Sequence, residues 1–416
     1  MLLAIFWAVS KVKVTFSQGV TFKTNQVKSA ISEAKRAGQP VMIYFRMEGI
    51  ESCMQLEKTF FADSRARDCF SKFACCLVDV KKNQALAMEY GVQVVPTVIM
   101  LNNKGKLAYR MEGNMAPAYL VYLGKSLSGI KPSLEELYEK YMENKKDLSA
   151  AQNLLHDAFY FLYYLPVKER SLWEQKLMKI YEEYVKKKPL EGMVNAKDFF
   201  LLTSYDIPSK ENREFDFLVA NADRFREVVD GQKVISYLIN TNNDLIQKLA
   251  REGDLGYEKC LERIKGDMAE LYKNLKGPGD VYTLLKMDAD ALYLLYGKKD
   301  QNAYVAKRGE YFKGLGEALG VEDLLRAVQE LSMTTKGKIT QNAADCCLAW
   351  LDVIDVAGVE PEMKVNLLIV RADCYLSCKD NVKAKGCLNE AYLLAMQAGI
   401  TGLQQYIKQK INAVGE

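Results

Sequence analysis

The sequence predicts a chain in two parts: an α/β domain over residues 18–130 and a larger all-α, helical-repeat-like domain over residues 131–416. Three observations predict it. The chain has 416 residues, more than a single hydrophobic core usually sustains. Helix and strand signals alternate as far as Leu127, with apolar residues recurring first at helical and then at strand spacing. Past Lys131-Pro132 the helical period continues with few strand signals, so Pro132 marks the expected boundary.

The first element is an apolar run, Leu2 to Val9. It is far short of the ~20 residues that span a bilayer, but it suits the core of a secretory signal, with Thr15 and Ser17 flanking a cleavage site before Gln18. Lys11 and Lys13 follow the run, whereas a signal carries its basic residues in front. The alternative is an ordinary N-terminal strand. The reading adopted is a signal peptide over 1–17 and a periplasmic or secreted protein, with a cytoplasmic location as the alternative.

Asn25 to Ala37 places Val27, Ala30, Ile31 and Ala34 on one helix face, and Gly38-Gln-Pro40 stops it. Val41-Met-Ile-Tyr-Phe45 reads as a strand, Glu51 to Phe61 as a helix, and Phe73 to Val80 as a second buried strand. A short helix runs from Ala85 to Tyr90. Val94 to Leu101 and Leu107 to Met111 read as strands around the turn Asn102-Asn-Lys-Gly105, and Pro117 to Leu127 supplies the last helix. The expected order is α, β, α, β, α, β, β, α.

Several local features in that order resemble the thioredoxin superfamily, and most of all its exported members, in which the redox motif opens a helix ending in Leu-Glu-Lys. Ile50-Glu-Ser-Cys53 stands at the Cys-x-x-Cys motif, and Leu56-Glu-Lys-Thr-Phe60 continues its helix. Tyr90-Gly-Val-Gln-Val-Val-Pro-Thr97 resembles the segment bearing a cis-proline, and Gly105 to Gly113 the terminal hairpin. The resemblance implies a thioredoxin-like fold over residues 18–130. It also implies that Gly49 and the backbone around Val95, Pro96 and Thr97 offer a place for an extended peptide.

The chemistry that the motif implies is broken. A dithiol oxidoreductase needs an exposed thiolate at a helix N-terminus and a second thiol three residues on. The first position here is Ile50, and only the resolving position, Cys53, keeps its sulfur. Glu51 disfavours a thiolate beside it. Gly49 replaces the usual aromatic residue, and Tyr44 the acidic residue that assists proton transfer beneath the motif. Cys53 is therefore either a core remnant or a lone residual thiol. Cys75 and Cys76 are adjacent on a strand and must face opposite sides of the sheet.

In the second part, Leu368, Ala372 and Tyr375 on one helix face Ala384, Leu388 and Ala391 on the next, and the pair resembles a tetratricopeptide-type unit near 365–398. Ala291 and Ala303 keep the same offset, but Lys307 and Glu310 fall where packing residues should stand. Phe159 to Leu165 is apolar all round, the pattern of a buried helix. Cys374 and Cys378 share a helix face near Cys346, Cys347 and Cys387, with core packing, a disulfide or a metal site as the readings open to them.

Ten cysteines stand against one histidine, His156. That ratio excludes histidine-rich zinc sites and leaves no convincing triad. The 57 Lys and Arg against 53 Asp and Glu give a net charge of +4, too dilute for a nucleic-acid surface. The expectation is a redox-degenerate protein- or peptide-interaction module of the cell envelope, without cofactor, metal site, nucleic-acid partner or membrane span. The alternative is residual thiol–disulfide chemistry through Cys53. Oligomeric state is left open.

Overall fold

The computed structural model describes residues 13–16, 18–206, 209–354 and 359–414. The signal-peptide reading of 1–17 falls mainly on residues outside these. Chain packing divides into two compact units, Met1–Tyr205 and Asp206–Glu416.

The first unit is built on a six-stranded mixed sheet of order β1-β2-β4-β3-β5-β6. Its strands are β1 (Lys13–Thr15), β2 (Thr21–Thr24), β3 (Val41–Arg46), β4 (Ala74–Asp79), β5 (Thr97–Leu101) and β6 (Leu107–Glu112). Between them run helices α1 (Val27–Ala37), α2 (Glu51–Leu56, continued by a π-helical turn Glu57–Phe61), α3 (Ser64–Phe70), α4 (Gln84–Glu89) and α5 (Pro117–Leu127). β3 is parallel to β4 and antiparallel to β5, and its residues Val41 to Phe45 are fully buried. One face of the sheet packs Val41, Ile43, Phe45, Cys76, Val78 and Ile99 against Val27, Ala30 and Ala34 of α1. The other carries an aromatic core in which Phe61 meets Phe22 at 5.2 Å and Tyr44 at 4.8 Å. Gly19 is required there, since a Cβ on it would lie 1.8 Å from the Phe61 carbonyl oxygen.

Two strands and one helix exceed the sequence expectation. β1 and β2 extend the sheet beyond β4, and α3 fills the link before β4. In the other direction, Val94 to Pro96 lies outside the strand expected from Val94, because β5 begins at Thr97. Pro96 has no N–H for the ladder.

The same unit continues through α6 (Leu134–Glu143), α7 (Leu148–Leu162), α8 (Val167–Lys187) and α9 (Ala196–Tyr205). A capping box between Ser133 and Glu136 starts α6. α7 lies against the sheet domain: Tyr160 stacks on Tyr122 of α5 at 4.1 Å, and Phe161 meets Tyr109 of β6 at 6.1 Å. So secondary structure changes type after α5, while packing does not divide until residue 205. The run Phe159–Leu165 is only partly buried. Phe161 and Leu162 are in the core, but α7 ends at Leu162 and Tyr163 is 70% exposed. An all-apolar pattern cannot register that its helix stops halfway.

The second unit is helical throughout its described residues: α10 (Arg213–Ala220), α11 (Ala222–Val228), α12 (Gly231–Glu252), α13 (Gly256–Lys265), α14 (Ala269–Tyr272), α15 (Val281–Tyr296), α16 (Gln301–Leu315), α17 (Val321–Thr335), α18 (Gln341–Asp352), α19 (Pro361–Ser377), α20 (Asn381–Gln397) and α21 (Thr401–Val414). α19 and α20 pack through Leu368, Ala372, Ala384, Leu388 and Ala391 in one core cluster, with Tyr375 against it. The small residues let the helices approach closely. Upstream, α16 turns Tyr304, Val305 and Arg308 inward, so Lys307 and Glu310 pair with each other at the surface, 2.6 Å apart. Arg308 is neutralised by Asp288 of α15.

Candidate functional site

The register of three strands gathers the site. Phe45 of β3 pairs with Thr97 of β5, and Thr97 in turn with Glu112 of β6. The segments 47–50, 94–96 and 113–116 therefore leave the sheet at one end. α2 begins there, with Ile50 as its N-cap in extended conformation (φ −85°, ψ 121°). Ile50 has no side-chain oxygen for the unpaired N–H groups of the first turn, and it is 36% exposed. The position that would favour a thiolate thus presents a hydrocarbon. Cys53, one turn along, is 1% exposed.

Beneath α2 lies a polar group of three. The Tyr44 hydroxyl donates to Glu57 Oε1 at 3.0 Å and lies 3.4 Å from the Cys53 carbonyl oxygen. Arg46 Nη1 reaches both Glu57 oxygens at 3.2 Å. Burial, and then the Glu57 charge, push the Tyr44 hydroxyl far above its ordinary pKa, so it remains a neutral donor. This trio joins β3 to α2 and holds the Cys53 backbone in place.

Beside α2 a cleft of about 170 Å³ is lined by Ser52, Gln55, Leu56, Thr59, Pro96, Gly113, Asn114, Met115 and Pro117. The Val95–Pro96 peptide bond is cis. The Pro96 carbonyl accepts from Gly113 N at 2.8 Å, and Thr97 Oγ1 donates to the Val94 carbonyl at 2.6 Å. Thr97 is fully buried, so its side chain secures the loop and is closed to a ligand. Val95 is half-buried, and among the described residues no backbone partner is found for its N–H or C=O. Gly49 is exposed at φ +84° with open space where a Cβ would stand. It lies next to Ile50 and is not among the residues lining the cleft.

Residues 27–126 match the family model described as a thioredoxin-like domain. The N-terminal domain is thioredoxin-like. Among solved structures, the chain is similar to a DsbH oxidoreductase at 18% identity, covering 28% of this chain and 88% of that one, with a TM-score of 0.24. A thioredoxin variant from Halobacterium salinarum NRC-1 is similar at 24% identity, covering 26% of this chain and 90% of that one, with a TM-score of 0.21. No match is found among curated proteins.

In the thioredoxin-like domain the other cysteines stay away from the motif. Cys76 belongs to the α1 face, while Cys75 turns to the α2 face, 3.9 Å from the Phe70 and Phe73 carbonyls. Burial raises the Cys69 thiol to about 11 and Cys76 to about 12, and Cys75 higher still. All three are protonated thiols at neutral pH. All ten cysteines of the chain are unpaired. In the second unit Cys347 and Cys374 are fully buried in one core, and a hydrogen bond between them together with burial pushes the Cys347 thiol up. Cys378 lies 3.6 Å from Asp345. Among the described residues no group of three or more His, Cys, Asp or Glu side chains is arranged to hold a metal ion. His156 pairs with Asp157 at 2.8 Å and packs edge-on to Phe200.

Sequence reasoning did not single out Arg46 and Glu57 as site residues. The signal was present: Tyr44 and Arg46 are two apart on a strand, and Cys53 and Glu57 four apart on a helix, so each pair shares a face.

Proposed function

We propose that the thioredoxin-like domain is a protein- or peptide-interaction module of the cell envelope that does not perform dithiol exchange. One observation carries this reading: Ile50 caps α2 above a Cys53 that is 1% exposed, beside an open cleft that includes Pro96. An extended peptide laid along 94–96 would find the unpaired backbone groups of Val95, the pairing by which exposed strands capture peptides. The competing reading, a monothiol oxidoreductase or isomerase using Cys53, needs a sulfur that a substrate disulfide can reach. The helical second unit, with close helix pairs such as α19–α20, supplies further surface for a protein partner.

Insulin-disulfide turnover by the full chain tests the chemistry. The expected result is no turnover above buffer, with peptide binding unchanged in Cys53→Ser. Turnover that Cys53→Ser abolishes would overturn the proposal. Location is tested by fusing residues 1–30 to an alkaline phosphatase that folds only after export. Phosphatase activity supports the envelope, and its absence counts against it.

A further inference from the structure

The cleft at Pro96 does not end at its own walls. Thr59 and Pro117, which line it, also line a larger cavity of about 610 Å³. That second cavity lies between the widened last turn of α2, α5 and α7, and its apolar lining includes Phe60, Val121, Tyr122 and Tyr160. Such a lining takes a large apolar side chain, since mostly apolar concavities with a few placed polar groups are the usual form of a binding pocket.

The charged groups around it decide what accompanies that side chain. Asp63 and Arg65 neutralise each other: Arg65 Nη2 lies 2.6 Å from Asp63 Oδ2, and hydrogen bonds from Arg65 hold the Asp63 carboxyl down to about 2. Lys125 and Lys131 make no ion pair within 4.0 Å among the described residues. Lys131 Nζ stands 4.2 Å over the Tyr122 ring. The nearby Asp157 carboxylate already accepts from the Tyr122 hydroxyl and pairs with His156, both at 2.8 Å. The Lys131 charge also acts on Asp157 and helps hold its carboxyl down, so Lys125 and Lys131 stand at an apolar hollow with no carboxylate within ion-pair distance among the described residues.

Resting on the peptide-binding reading above, we propose that this cavity is a specificity subsite for a peptide running on from the Pro96 cleft. It takes a large apolar side chain against Phe60, Val121 and Tyr160, and pairs a neighbouring Asp or Glu side chain with Lys125 and Lys131. Lys131 and Tyr160 lie outside the matched segment 27–126, so the subsite is completed by the link after α5 and by α7.

The test uses the full chain and capped hexapeptides on a Gly/Ser frame carrying Phe–Glu, Phe–Gln or Gly–Glu, each with a neutral fluorophore, read by anisotropy. Phe–Glu is expected to bind about fivefold tighter than Phe–Gln, the size of one partly exposed charge pair, and about tenfold tighter than Gly–Glu. The double variant Lys125→Gln/Lys131→Gln erases the Phe–Glu over Phe–Gln preference. Ala118→Trp, an exposed change at the mouth, weakens both Phe peptides, and Ser52→Trp in the Pro96 cleft weakens all three. Should Ala118→Trp fail to fold, the lysine variant decides alone. Equal binding of all three peptides, lost in Ser52→Trp, would overturn the subsite while leaving the cleft. Phe–Glu preference that survives the lysine double variant also overturns it. Binding of none of the three overturns the subsite and the peptide-binding reading together.

Discussion

Along β3, alternate residues enter two different environments. Val41, Ile43 and Phe45 go to the α1 face, where the neighbours are Val27, Ala30, Ala34, Cys76, Val78 and Ile99. Tyr44 and Arg46 go to the α2 face, where they meet Glu57. One face is sealed mainly by apolar packing, with the Cys76 thiol and the Tyr90 ring at its side, and the other places an ion pair and a phenol beneath the helix that opens on the cleft. Because polar burial needs partners to be tolerable, the α2 face is the one whose geometry is fixed by specific bonds. A site can be positioned there in a way that apolar packing alone does not achieve.

The largest effect expected is on the sealed face. Phe45→Ala should lower the stability of the first unit by about 4 kcal/mol, read as faster hydrogen exchange of the β3 and β5 amides. Glu57→Ala should cost about 2 kcal/mol, less than a fully buried pair because Arg46 keeps some contact with water, and should loosen α2 ahead of α1. If Glu57→Ala loosens both helices equally, the distinction between the faces fails. Tyr44→Phe should cost about 1 kcal/mol and sharpens the comparison through pH. The Tyr44 hydroxyl is raised above its ordinary 10.0 in the folded chain. Its stabilising contribution is therefore complete below pH 10.0 and falls as pH rises further. Alkaline denaturation of Tyr44→Phe should be shallower than that of the parent. The smallest stability effect belongs to Ile50→Cys, within about 0.5 kcal/mol at a surface position. That variant should gain one fast-reacting thiol toward an aromatic disulfide reagent; no gain would mean that α2 does not present its N-terminus as described.

Much of this was legible because local pattern and local structure coincide. Pro117 starts α5 at the residue that favours a first helical turn, and the adjacent Cys75 and Cys76 part to opposite faces as a strand demands. β2 left little trace, since Thr21 to Thr24 buries only Phe22 fully and its parallel partner, β4, is distant in sequence. α3 is likewise faint: Ser64 to Phe70 carries three charged residues in seven, and only Ala66, Cys69 and Phe70 are buried. Val94 and Val95 look like strand residues, and only Pro96 tells otherwise. The second cavity was not legible at all, because it needs Phe60, Tyr122 and Tyr160 from three separate helices.

The stack of Tyr160 on Tyr122 bears on how this protein can be divided. Cut after residue 130, the thioredoxin-like segment would bare the faces of Tyr122 and Tyr109 and forfeit a wall of the cavity. The part expected to be exchangeable whole, by an engineer or otherwise, is then the compact unit Met1–Tyr205, in which the thioredoxin-like fold and the helices that follow it travel as one.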